Sequence, residues 1–334
     1  MQRTAIVTSL LVILCLCSPA SWGTSTEAAP PLPVEYLRLP PGQATLAPEE
    51  ALSSSDWQPL PGTTPNFGYE TDTFWYRIDL PPGDSRQILE IAYPHLDDIR
   101  FWLVTDGEPG EAEHTGDRLP FSERPLTHPN FLFPVIRQPG TEQQILLRVQ
   151  TGGAHHVPLQ LLAPRELFLK LSREDQLHSL YYGTLVTITL FSLLVFISLR
   201  EKIYLYYLAT TASFLLLLAA LRGITYPVLW PASPLLQNYS ILIAIPLALI
   251  SIVLFSRTFL RLKQVGGWIY RAVQIALYAN LLALTGVVVL DYNLSIWFSV
   301  SVGLATCLLL ALCGPILWLR GHSHPASTPW PGAR

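Results

Sequence analysis

The sequence predicts an all-β sandwich at the N-terminal side followed by an all-α bundle of about five transmembrane helices. Three observations predict it. Half of the 334 residues are hydrophobic and only 13% are charged, a balance closer to a part-membrane protein than to a soluble chain of this length. The apolar residues gather into long runs beyond Leu177, whereas Pro30 to Pro164 mixes prolines, acids and short alternating stretches. A leader with the layout of an export signal precedes both parts.

That leader has a basic start at Arg3, an apolar core from Ala5 to Cys17, and small residues at Ser18, Ala20, Ser21 and Gly23. It predicts a secretory signal over residues 1–23, cleaved after Ala20 or Gly23. Lipidation at Cys15 or Cys17 is disfavoured, because bulky Leu14 and Leu16 precede them. Of the four cysteines only Cys307 and Cys313 would then remain. Six residues apart, they do not share a helix face, which predicts ordinary lipid-facing or buried thiols and no metal or redox pair.

In the outer part, residues 30–164, alternation is clearest in Thr73 to Leu80: Phe74, Tyr76, Ile78 and Leu80 share one face, Thr73, Trp75, Arg77 and Asp79 the other. Similar segments are Gln87 to Tyr93, Ile99 to Val104 and Gln144 to Gln150, separated by turn signals at Pro82-Gly83, Asp106-Gly107 and Pro139-Gly140. Many short antiparallel strands close most naturally as two packed sheets. Trp57, Trp75, Tyr93 and Trp102 offer flat apolar surfaces for a sugar or another ligand, with Arg77 or Arg148 as a polar handle. The same aromatics equally fit a sandwich core or the join to the membrane part. His95, Asp97 and Asp98 have the composition of a cation site, yet neighbours on a strand point to opposite faces, which predicts a solvated turn. His155 and His156 follow Gly152-Gly153 and are predicted in a loop.

A bilayer core of about 30 Å needs roughly 20 apolar helical residues. Five runs meet this between residues 177 and 319: Leu177 to Leu199, Ile203 to Leu221, Tyr239 to Phe255, Ala272 to Leu290 and Leu294 to Leu319. The connections holding Arg200 and Lys202, and Arg257, Arg261, Lys263 and Arg271, are basic; those from Arg222 to Asn238 and Asp291 to Asn293 are not. The positive-inside rule therefore predicts an outer domain outside the cytoplasm and a C-terminal tail, residues 320–334, within it. The spans carry no charge in their interiors, which disfavours a transporter. Thr184, Thr187, Thr189, Gln274 and Asn280 are predicted to bond within their own helices or to pack, and Ser299 with Gly303 forms a small-xxx-small pair.

A formal net charge of -3 and the lack of a basic stripe interleaved with aromatics argue against a nucleic-acid partner. No GxxxxGK[ST], HExxH or GxSxG motif occurs. No catalytic residue, cofactor or metal is therefore expected, and the short tail with His322 and His324 is predicted to be a disordered polar end.

Several segments in order are similar to those of one family. They are TFWYRIDL at Thr73 to Leu80, LEIAYPHLDDIRFWLV at Leu89 to Val104, and ILLRVQT at Ile145 to Thr151 followed by Pro158; in the membrane part, YYGTLV from Tyr181, SLREKIYLYYL from Ser198, RGITYPVLWP from Arg222 and FSRTFLRL from Phe255. Together they resemble the bacterial seven-transmembrane receptors with diverse intracellular signalling modules. The resemblance implies a periplasmic, jelly-roll-like sensor domain similar to carbohydrate-binding modules. It also implies an inner-membrane location and relay of ligand occupancy to a cytoplasmic effector such as a diguanylate cyclase, histidine kinase or phosphatase. The five spans depart from the family's seven, and no effector follows Arg320, so a chain truncated after the fifth span is expected. Expected partners are a small molecule or carbohydrate and the lipid bilayer, with a separate effector and a homo-oligomer left open. The competing class is an envelope assembly or structural partner without ligand-driven signalling.

Overall fold

The computed structural model describes residues 33–40, 46–60 and 64–319. The predicted leader, residues 1–23, and tail, residues 320–334, lie outside the described residues. The strands are β1 Val34–Leu39, β2 Gln58–Pro59, β3 Asn66–Gly68, β4 Thr73–Leu80, β5 Arg86–Ile91, β6 Asp98–Thr105, β7 Glu108–Pro109, β8 Glu113–Thr115, β9 Phe131–Ile136, β10 Gln143–Gln150, β11 His155–His156 and β12 Leu159–Leu162. A short helix, α1 Pro48–Leu52, lies between β1 and β2. The helices that follow are α2 Pro164–Leu199, α3 Lys202–Leu221, α4 Thr225–Leu229, α5 Pro234–Phe259, α6 Leu262–Val265, α7 Gly267–Val289 and α8 Tyr292–Leu319.

All strand pairings are antiparallel, as the alternation of one wet and one dry face predicts. The large sheet runs β2-β1-β4-β10-β6-β7, with β8 also on β6; the second runs β12-β5-β9, and β11 with β3 makes a small third sheet. β4 sits centrally because five of the eight residues of TFWYRIDL are β-branched or aromatic. Its register against β10 sets Phe74 opposite Val149, Tyr76 opposite Leu147 and Ile78 opposite Ile145, and all six are fully buried. The two main sheets meet through rings such as Phe101 and Phe133, stacked at 4.7 Å. Each such side chain removed from water stabilises the fold by roughly 1.5–3 kcal/mol. The all-β sandwich followed by helices is therefore the observed architecture.

Two loop expectations are corrected. His155 lies in a strand, not a loop, and is fully buried, with its Nε2 2.8 Å from the Tyr76 hydroxyl. Burial pulls its imidazole down to about 4, so it stays neutral at physiological pH. Asp97 and Asp98 are not a solvated turn either. Asp97 is buried against Arg118 (2.7 Å) and the Gly152 N–H (2.9 Å), and Asp98 pairs with Arg148 (2.8 Å) and His114 (2.7 Å). Their partners come from residues 114–152, beyond the reach of a local pattern.

Five helices, α2, α3, α5, α7 and α8, are long and apolar enough to cross a membrane. α5 is central, packed against α3, α7 and α8. α2 begins 13 residues before the apolar run, directly after β12. Pro164 opens it, and Glu166 accepts the Ala163 N–H at 3.2 Å. Its 36 residues extend about 54 Å, more than a bilayer core of about 30 Å requires. The first turns therefore stand clear of the apolar layer, against the sandwich. Thr184, Thr187 and Thr189 bond to carbonyls four residues back, as expected. Two polar residues do reach between helices: Asn280 donates to Thr306 of α8 at 2.9 Å, and Gln274 accepts from Arg257 of α5 at 2.7 Å. The Ser299/Gly303 stripe brings α8 close to Leu249 of α5. Cys307 is exposed and Cys313 buried, and neither is in a disulfide.

Candidate functional site

Alternation places Trp75 and Arg77 of β4, Trp102 of β6 and Arg148 of β10 on the face of the large sheet turned away from the second sheet. On that face Trp75 and Trp102 stack at 5.4 Å. They do not form an open platform. Residues 46–57 fold back across them, and Leu37, Ala51, Val104 and Leu146 complete a second small core. Trp75 is left 1% and Trp102 6% exposed. Trp57 belongs to the same cover: its indole N–H donates to the Ala51 carbonyl at 2.9 Å. The Arg77 guanidinium lies 4.7 Å from the Trp57 ring centre and pairs with Glu35.

One row further along, Arg148 stands between Trp75 and Arg100. It donates to Asp98 (2.8 Å) and Gln150 (2.9 Å), and Asp98 also holds His114. Beside the covered tryptophans this row, Arg148, Arg100, Asp98, His114 and Gln150, gives the face a polar half that includes partly open side chains. Five of the six residues singled out from the sequence thus share one face. Tyr93 does not. It lies in the loop after β5, edge-on to His95 and His156 at 5.7 and 5.6 Å, and burial pushes its phenol up to about 12.

Tyr93 belongs instead to a junction between the sandwich and the helix bundle, which form one unit from Pro33 onward. Here the loops 92–97, 116–130 and 151–154 meet the helix connections 222–233 and 290–292. His95 Nε2 lies 3.1 Å from the Leu221 carbonyl at the end of α3. Burial pulls His95 down to about 4, so this neutral ring donates its N–H there. The Phe121 N–H donates to the Pro231 carbonyl at 3.0 Å, and the Tyr226 hydroxyl of α4 donates to the Leu119 carbonyl. Phe121 packs edge-on against Tyr226, and Tyr69 approaches Trp297 of α8. Gly223, at φ +69°, allows this approach, since a Cβ there would lie 2.7 Å from Pro94. Arg124 is buried behind the loop, donating to the carbonyls of Pro94, His128 and Pro129.

A second attachment lies on the opposite side of the second sheet's β5. Glu90 is fully buried, its carboxylate 2.7 Å from Lys170 Nζ of α2 and 2.8 Å from Asn130 Nδ2. Lys170 also donates to Gln160 of β12 at 2.8 Å. The clamp ties the second turn of α2 to two strands of the sheet from which α2 itself emerges. Sequence reasoning missed Glu90, Asp117, Arg124 and Tyr226. The one local signal was a carboxylate inside the strand Arg86–Ile91; the others acquire meaning only from distant neighbours.

Comparisons with known proteins bear on both halves. Residues 34–163 match the 7TMR-DISM extracellular 2 family, and residues 174–325 match the 7TM diverse intracellular signalling family. No curated protein matches. Among solved structures, a GH31 α-xylosidase from Xanthomonas citri is similar at 10% identity and a TM-score of 0.21, over 39% of this chain and 13% of that one. With a sensing domain of the extracellular type docked on apolar helices, and with both halves matched in order, the chain belongs to the 7TMR-DISM family of multi-pass membrane receptors.

Proposed function

We propose that the sandwich takes up a small ligand, a carbohydrate in the first instance, on the outer face of its large sheet. Occupancy then passes through α2 and the junction to the far ends of the helices. The observation that carries this reading is the double attachment: Glu90 with Lys170 on one side, and the loops around Asp97, Asp117 and Phe121 on the connections of α3–α5 and α8 on the other. A ligand that prefers one arrangement of the loops shifts the population of the helices attached to them. Trp57 and the row Arg148, Arg100, His114 and Gln150 supply a ring face and hydrogen-bonding groups of the kind a sugar uses.

The sandwich is assigned to the periplasm and the far helix ends to the cytoplasm of a bacterial inner membrane. The basic connections support this: Arg200 and Lys202, and Arg257, Arg261, Lys263 and Arg271, follow helices that run away from the sandwich. We assign no enzymatic step to the chain and give the output to a separate effector.

The test uses the full chain in detergent, titrated calorimetrically with a panel of oligosaccharides and small acids. Saturable binding that Trp57→Ala weakens at least tenfold is expected. Absence of binding across the panel, with crosslinking that recovers a stable envelope protein, replaces the receptor reading with an assembly role.

A further inference from the structure

The junction contains a buried carboxyl pair that the relay described above does not use. Asp117 is 4% exposed, its Oδ1 has no hydrogen-bond partner, and its side chain lies within hydrogen-bonding reach of Asp97. Gly116 makes the approach feasible, because a Cβ there would collide with the Asp97 carbonyl. The Asp117 N–H donates to the Leu96 carbonyl at 2.8 Å, which joins the two loops at this point. On the helix side, Tyr226 of α4 and Tyr292 of α8 both lie within electrostatic reach of Asp117.

We propose that the Asp97–Asp117 pair binds one proton, and that this proton seats the sandwich on the helix connections, so that coupling in this receptor depends on the pH of the outer compartment. The groups around the pair leave room for little else. Arg118, largely exposed, is engaged with Asp97, and Asp97 also accepts the Gly152 N–H. Arg124, pulled down to about 10 by burial but still charged, directs its terminal nitrogens to backbone carbonyls. Tyr69, Tyr93, Tyr226 and Tyr292 are the remaining polar rings nearby. Two adjacent carboxylates with one uncompensated oxygen repel, whereas a shared proton makes Asp117 a donor to Asp97.

The direction follows from linkage. Burial first, and the Asp97 charge second, push Asp117 up to about 7 in the seated form, against the opposing pull of Arg124 and Arg118. A freely hydrated aspartate titrates near 3.9. The seated form therefore holds the proton more tightly, its advantage is complete below about pH 3.9, and it is lost progressively as pH rises to about 7. His95 opposes this: held at about 4 by burial in the seated form and near 6.5 once hydrated, it favours opening as pH falls through that interval and cancels the Asp117 slope there. The switch is therefore read in a His95→Gln background, whose amide N–H can still donate to the Leu221 carbonyl.

The proposal rests on the reading of the junction as a relay, but its test needs neither ligand nor output. Failure to find a ligand and failure of the proton switch are therefore separate results. Hydrogen exchange of the full chain in detergent, normalised for the intrinsic exchange rate, reports opening of residues 93–97, 117–124 and 221–231. In His95→Gln, opening should rise about tenfold per pH unit between about pH 5 and pH 7 and then level off, while β4 and β10 stay constant. Asp117→Asn in the same background, which mimics the protonated state, should abolish the slope and leave the junction protected throughout. A flat His95→Gln profile, or the same slope retained when Asp117→Asn is added, overturns the proposal. Should the Asp117→Asn variant fail to fold, Asp97→Asn in the His95→Gln background should move the sloping window to lower pH, and an unmoved window overturns the proposal. An infrared titration of the wild type should lose a protonated-carboxyl band between about pH 6 and pH 8, and its absence is likewise fatal.

Discussion

The sandwich touches the helices in two places that differ in chemistry. The clamp is a fully buried carboxylate held by an ammonium and an amide, on a helix covalently continuous with the sheet. The junction is a set of loops held by hydrogen bonds to carbonyls, with an unpartnered carboxylate oxygen among them. Breaking the first strands a buried charge, whereas rearranging the second exchanges protein partners for water. The difference assigns roles within the proposed relay: α2, at the costlier contact, is its fixed pivot, and the junction is the contact that rearranges at lower cost.

The largest effect should come from the pivot. Glu90→Ala leaves Lys170 facing a buried, empty site and should cost about 3 kcal/mol, the low end of the range for a broken buried pair because Lys170 keeps some contact with water. Denaturant unfolding of the sandwich, followed by near-ultraviolet circular dichroism, measures it. Glu90→Leu combined with Lys170→Leu should recover most of the loss, and failure to do so removes the clamp from the account.

Smaller effects should come from the seat and stay there. Gly223→Ala puts a Cβ into a left-handed backbone position against Pro94 and should weaken the junction by about 2 kcal/mol. Faster exchange of residues 93–97 with unchanged protection of β5 is the expected signature. Tyr226→Phe removes only the hydroxyl bond to Leu119 and should cost about 1 kcal/mol in the same assay. If either variant loosened the Glu90 clamp equally, the two attachments would be one cooperative unit. The smallest effect belongs within the bundle: Asn280→Ala loses the bond to Thr306, worth about 0.6 kcal/mol in a membrane interior. Unfolding in mixed micelles should detect it without any change at the junction.

Much of the fold was legible before any coordinates. Alternation in Thr73 to Leu80 predicted which face of β4 would be buried, and Phe74, Tyr76, Ile78 and Leu80 are, because strand periodicity depends only on neighbours two residues apart. The five apolar runs became five helices for an equally local reason: length and hydropathy suffice where no water can satisfy the backbone. The candidate site was legible only in part. Trp75, Trp102 and Arg148 were placed on a common face by parity and register, but the covering of the two tryptophans around Ala51 depends on a short helix far earlier in the chain.

The sequence by itself determined the division into a β-rich part and membrane helices, the order of the spans and the alternating faces of the strands. It did so because these properties are set by short-range sterics and by transfer from water. Only the tertiary structure decided that Asp97 meets Asp117, that Glu90 finds Lys170 80 residues away, and that His95 rests on the end of α3. An ionised or polar side chain has no fixed meaning in a local pattern. Its role follows from which distant partner shares its burial, and that is settled when loops from separate strands close against one another.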